Sequence, residues 1–184
     1  MIEVNDKWKE VLDFWFNPEN KTNWFMKSDD FDNEMHSKFY EIWQRGCQGL
    51  LSDWRATIHG RLAEIIVLDQ FSRNLCREKS CAFTQDGMAL VLAQEAIKHP
   101  EFKNLSQDEK RFILMPFMHS ESREIHKQAV VLFEELGDDE TTKYEYLHKE
   151  IIDRFGRYPH RNKALNREST PEEIEFLKQP NSSF

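Results

Sequence analysis

Three polar stretches interrupt an otherwise amphipathic chain, and each holds residue types able to do chemistry. The first is Asp69-Gln70-Phe71-Ser72-Arg73-Asn74. Asp69 follows Leu62 by seven residues and Ile65 by four, so an apolar helical stripe ends in a carboxylate. Such a carboxylate needs a cation, because burial disfavours its charge and because it stands at the negative end of its helix. Arg73, four residues on, offers a guanidinium that can meet a carboxylate bidentately.

The second stretch, Phe117-Met118-His119-Ser120-Glu121, follows Pro116. Proline removes a backbone donor and crowds the carbonyl four residues back, here that of Phe112, which predicts a kink or break just before Phe117. His119 or Ser120 can then serve the freed carbonyl. As chemistry, His119 is a candidate general acid or base, with Asp69 or Glu121 to orient it. His119 and His126 share a helical face, yet no H-E-x-x-H pattern and no third ligand accompany them, so no metal is expected. Ser120 lies in no G-x-S-x-G elbow, which argues against a serine nucleophile.

The third stretch, from Arg154 to Arg167, contains Arg154, Arg157, Arg161, Lys163 and Arg167 and no Asp or Glu. Gly156 and Pro159 make a turn there, and a turn gathers side chains that a helix would spread around its circumference. Arg157 and Arg161 are candidates to clamp a carboxylate or phosphate, with His160 and Asn162 as further donors and Arg73 joining from the first stretch. The alternative is an internal latch, in which the island neutralises Asp69, Glu121 and other inward acids. His148, within the apolar stripe of its helix, reads as a hydrogen-bonded core histidine.

These residues must be positioned by a chain of 184 residues carrying a net charge of -8. That length suits one domain, placed at residues 1–178 with a flexible tail over 179–184. Acidity argues against nucleic-acid and anionic-membrane partners, and no apolar run approaches the ~20 residues of a membrane span. The stretch Met1-Ile2-Glu3-Val4-Asn5-Asp6 lacks the features of a secretory signal, so a cytoplasmic setting is expected. Cys47, Cys76 and Cys81 form no C-x-x-C pair and read as reduced structural thiols. With neither G-x-G-x-x-G nor a Walker A sequence, no cofactor is expected; the oligomeric state stays open.

The apolar period is helical throughout, which predicts an all-α fold of about eight helices in stacked antiparallel hairpins. They run from about Val4 to Phe16, Asp30 to Gln48, Thr57 to Phe71, Asp86 to Lys98 behind an N-cap at Thr84, Ser106 to Pro116, Glu121 to Leu136, Thr142 to Phe155 and Thr170 to Leu177. Ser106 with Glu109, and Thr170 with Glu173, have capping-box spacing; Gly137 and Gly156 are stops.

Taken together, Val11-Leu12-Asp13-Phe14-Trp15-Phe16, Leu68-Asp69-Gln70-Phe71-Ser72-Arg73-Asn74, Met115-Pro116-Phe117-Met118-His119-Ser120-Glu121 and Arg154-Phe155-Gly156-Arg157-Tyr158-Pro159-His160-Arg161-Asn162 resemble an uncharacterised bacterial domain-of-unknown-function family. The resemblance implies a tetratricopeptide-like helical fold and brings no activity, cofactor or catalytic residue. Asn166 stands where the family pattern has Gly before Arg167, and Asn tolerates the left-handed conformation such a turn needs.

Two functions are expected from these residues. One is a non-catalytic helical binding module, with Arg73, Arg157, His160, Arg161 and Asn162 lining a pocket for an acidic peptide or small anionic ligand. The other is a small hydrolase acting on an anionic substrate, with His119 or His160 as acid or base and Asp69 or Glu121 as its carboxylate.

Overall fold

The computed structural model of the chain describes residues 6–183. Among them the regular structure is entirely helical: α1 (Lys7–Trp15), α2 (Asp29–Cys47), α3 (Ile58–Ile66), α4 (Ser72–Leu75), α5 (Asp86–Ala96), α6 (Gln107–Met118), α7 (Arg123–Leu136), α8 (Asp139–Phe155) and α9 (Pro171–Phe176). A π-helical segment, Val67–Phe71, joins α3 to α4 without a break, so these two are physically one helix and the described residues form eight. The expected position of Val4 on the first helical stripe lies outside the described residues.

Local chemistry fixes the helix ends. Ser106 with Glu109 and Thr170 with Glu173 close reciprocal capping boxes at the starts of α6 and α9. Gly137 and Gly156 end α7 and α8 at φ 71° and 70°, a conformation that costs glycine nothing. Several boundaries and caps differ from expectation, two of them with a clear local cause. Thr84 gives its hydroxyl to the Ser80 carbonyl, and Gln85 occupies the N-cap of α5. Glu121 lies outside α7, whose N-cap is Ser122, because the Glu121 carboxylate is drawn to the third polar stretch.

Pro116 does not break its helix. α6 runs through it to Met118, and the amide of the C-cap residue His119 donates to the Met115 carbonyl at 3.0 Å. A proline in the final turn disturbs little, since few hydrogen bonds remain beyond it to lose.

The core is aromatic at one end. Phe14, Trp15 and Phe39 gather around Phe71, with ring centroids of Phe39 and Trp15 at 5.4 and 5.8 Å from it, and Phe31 stacks on Phe14. Gly46 brings α2 close to the π segment, for a Cβ there would lie 3.1 Å from Val67 and 3.4 Å from Leu68. The π segment is thus clamped from two sides. Along the chain α6 packs on α7 and α7 on α8, while α3 packs on α1, α5 and α6. No described helix is long and apolar enough to cross a membrane.

The expectation of three reduced thiols fails. Cys76 and Cys81 form a disulfide with their Cα atoms 5.6 Å apart, because the chain turns back between α4 and the short helix Ser80–Ala82; Cys47 remains a free thiol.

Candidate functional site

Asp69 does not sit at a helix end. It occupies the middle of the π segment, within an unbroken run of buried residues from Leu62 to Ser72. Phe71 is held in the aromatic core, and the Asp69 side chain reaches the end of α6 instead. π segments of one turn recur where a helix must aim a side chain off its regular face. Composition gave no sign of this one.

The Asp69 carboxylate is fully buried and completely engaged. His119 Nδ1 lies 2.6 Å from Oδ1, Gln70 Nε2 donates to Oδ2 at 2.6 Å, and Arg73 Nη1 approaches Oδ1 at 3.1 Å. Burial alone would raise this carboxyl; the charge of Arg73 and the hydrogen bonds from His119 and Gln70 hold it well below the usual carboxylate range. Burial and the nearby Arg73 lower His119 against the pull of Asp69, so near neutral pH the imidazole is uncharged. An ionised carboxylate on Nδ1 selects the tautomer protonated there and makes Nε2 the basic atom. Eleven per cent of the His119 side chain stays exposed.

Arg73 makes its bidentate pair with Asp86 rather than Asp69, through Nη1 at 3.0 Å and Nη2 at 3.1 Å. Asp86 also receives Arg161 Nη1 at 2.9 Å. Arg161 is buried, gives Nη2 to the His119 carbonyl at 3.0 Å, and lies between the Phe83 and Tyr158 rings at 4.6 and 4.5 Å. Arg73 stands over the same Phe83 ring at 5.6 Å, with 19% of its side chain exposed. The Nε of Arg161 and the Nδ1 of His160 are buried with no hydrogen-bond partner among the described residues. His160, packed on Tyr158 at 5.6 Å, is pushed down to about 3 by burial and by Arg161 and Arg73.

Thus residues of all three polar stretches meet, but not every candidate belongs to the meeting point. Glu121 is bound bidentately by Arg167 at 2.7 and 2.9 Å and accepts the Tyr158 amide at 2.8 Å, so it fastens the second stretch to the third. Arg157 forms a two-point pair with Glu173 at the start of α9, at 2.7 and 2.8 Å. Asn162 donates to Ser169 and Glu173 and accepts from Arg167. These contacts have the form of the internal latch weighed in the sequence. His148 is buried and donates Nδ1 to the Tyr144 carbonyl at 2.7 Å, which fits a hydrogen-bonded core histidine. His126 lies on a different helix from His119 and pairs with the buried Glu145 at 2.7 Å.

Sequence reasoning missed Asp86 and Phe83, which between them hold both arginines. Asp86 looks like an ordinary acid in the first turn of a helix, and only the fold brings it to the stretch 13 residues before it. A groove of about 650 Å³ between α1 and the start of α6, lined by Trp8, Leu12, Phe16, Lys21, Asp108 and Glu109, contains no residue of the three stretches. No cluster of described residues has the form of a metal site.

The pattern of a family described as a bacterial protein of unknown function, DUF924, matches residues 11–181. A solved structure of a protein of unknown function from Agrobacterium tumefaciens is similar over 96% of this chain and 99% of its own, with 32% identity and a TM-score of 0.90. Among curated proteins, none matches.

Proposed function

The chain belongs to the DUF924 family, and since that family has no activity to transfer, we propose a function from the site itself: a small acid–base hydrolase acting on an anionic substrate. The observation that carries the reading is the Asp69–His119 hydrogen bond at 2.6 Å, made by a fully buried carboxylate to a buried imidazole whose side chain keeps 11% of its surface exposed. Neutral His119 takes a proton from water through Nε2 while the water oxygen attacks the substrate. Ionised Asp69 stabilises the imidazolium that forms, and His119 then returns the proton to the leaving group. Arg73, beside the dyad and partly exposed, faces the negative charge that develops. Of the carboxylates and histidines weighed from sequence, Asp69 and His119 take these roles. His160 has no carboxylate partner among the described residues, and Glu121 is committed to Arg167 and Tyr158. The same proposal takes the helices as tetratricopeptide-like pairs, for which the serial packing of α6, α7 and α8 speaks, and the setting as cytoplasmic.

A purified chain is assayed against a panel of anionic carboxylic esters, phosphoesters and amides. Turnover of at least one member is expected, reduced by about 10²-fold or more in H119Q with the fold retained. A wild-type chain inert on the whole panel, or an H119Q variant as active as wild type, overturns the reading.

One observation favours the second reading, a non-catalytic pocket for an acidic peptide or small anionic ligand: the buried Arg161 Nε and His160 Nδ1, which have no hydrogen-bond partner among the described residues. Under that reading an anion raises the melting temperature with no turnover, and H119Q keeps the stabilisation while R73Q loses it.

A further inference from the structure

The Cys76–Cys81 disulfide closes a small ring of chain directly behind the first polar stretch. Its near side is anchored to α2, since Asn74 donates to Asp32 Oδ1 at 2.7 Å and Arg77 forms an ion pair with the same carboxylate. Its far side leads through Ala82 to Phe83, the ring that covers Arg73 and Arg161 together. Inside the ring, Glu78 holds φ at 61°, a left-handed conformation that a side chain such as glutamate adopts only under constraint. The rest of the ring is held by Lys79 N to Cys76 O at 3.0 Å and by the single 3-10 turn Ser80–Ala82, with Ala82 N to Lys79 O at 3.1 Å and Phe83 N to Ser80 O at 3.0 Å. No α-helix lies within it. The disulfide is therefore a main constraint on where Phe83 lies.

We propose that Cys76 and Cys81 form a redox clasp on the candidate site: closed, it keeps Phe83 over the Arg73 and Arg161 guanidinium groups; open, it frees the loop and uncovers them to an anion. As regulation of that site the proposal rests on the acid–base reading. Closure balances as thiol–disulfide exchange with a low-molecular-weight disulfide. The thiolate of Cys81, the more exposed of the two, attacks it and expels one small thiol. The Cys76 thiolate then attacks the Cys81 sulfur of the mixed disulfide and expels the second. Two protein thiols and one small disulfide become one protein disulfide and two small thiols, and opening is the reverse.

The full chain is equilibrated in reduced and oxidised glutathione mixtures, its thiols are counted by alkylation and mass spectrometry, and amide hydrogen exchange is followed in both states. Exchange at Lys79, Ala82 and Phe83 is expected to be about tenfold or more faster in the reduced chain, with α7 and α8 unchanged. The C76S/C81S double variant should reproduce the reduced pattern; reduced wild-type chain gives the same comparison should that variant not fold. Thiols that remain unpaired at every poise, or exchange in the loop equal within about twofold in both states, overturn the clasp. Turnover of the anionic panel, measured in parallel in both states, separates the two readings. Its absence in both states overturns the acid–base function alone, and the exchange comparison judges the clasp regardless.

Discussion

The Tyr158 hydroxyl donates to the Met118 carbonyl at 2.6 Å, one residue before His119, so the third polar stretch seats the end of the helix that delivers the imidazole. Tyr158 is wholly buried, and burial raises its hydroxyl above the ordinary value, keeping it protonated as a donor. Its amide binds Glu121 and its ring underlies Arg161. One residue thus ties α6 to the turn after α8.

Tyr158→Phe removes only the hydroxyl and leaves the Met118 carbonyl buried without that donor. An unfolding free energy lower by about 1–3 kcal/mol is expected, from the desolvation cost of an unmet acceptor. Urea unfolding of the variant checks it. A change below about 0.5 kcal/mol, the range of an ordinary surface substitution, means the hydroxyl is incidental.

The dyad makes a prediction that needs no substrate. Asp69 is ionised and faces Nδ1, so His119 at pH 7 is neutral, protonated on Nδ1 and bare on Nε2. Long-range proton–nitrogen correlation spectra of the wild-type chain should show that tautomer, and Asp69→Asn should shift it. Asp69→Asn also removes one of the two acids at Arg73, which keeps its bidentate partner Asp86. An Nε2-protonated His119 in the wild-type chain contradicts the assignment of the base.

Much of this arrangement was legible, and what escaped has identifiable causes. Apolar stripes and caps are local, so the helices and the Asp69–Arg73 neighbourhood follow from spacings of three and four. The π segment is a choice made by packing: Phe71 enters the aromatic core and Gly46 admits Val67, and neither fact is local to Asp69. Pairings across distance, such as Arg73 with Asp86, Arg161 with Asp86 and Arg157 with Glu173, are set by where helices meet. Charge counting showed that the basic island needs acids without saying which. The cysteines were misread because spacing patterns for metals and redox motifs do not cover a pair five apart closed by a turn.

Acid should weaken the fold early. Burial holds His119, His148 and His160 below the usual imidazole value, His160 at about 3. Unfolded, each takes up a proton as pH falls through about 6.5; folded, each resists until its own lower value. Their contribution is complete above about 6.5 and declines below it, by about 1.4 kcal/mol per pH unit for each histidine inside its window. The lowered carboxyls of Asp69, Glu121 and Glu173 add a second loss, beginning only below about 4 where unfolded carboxylates protonate. Urea midpoints should therefore fall between pH 7 and 5, and His160→Asn should flatten that slope by one proton. A midpoint constant across this range contradicts the neutral burial of the three imidazoles.

Asn166 holds φ at 52°, and the turn it makes returns the Arg167 amide to the Asn162 carbonyl at 2.8 Å. That turn aims Arg167 at Glu121 and at the Tyr158 carbonyl, so a backbone preference at one exposed turn bears on the link between the second and third stretches. Alanine lacks the short polar side chain that eases Asn into the left-handed region, where a residue with a Cβ is disfavoured by roughly 1–2 kcal/mol. Asn166→Ala should therefore cost about 1 kcal/mol of folding stability. Asn166→Gly should lie within about 0.5 kcal/mol of wild type, because glycine removes the strain but frees the unfolded chain. Denaturant unfolding of both variants decides between backbone and side chain: equal losses would mean that the Asn166 amide, and not its conformation, holds the turn.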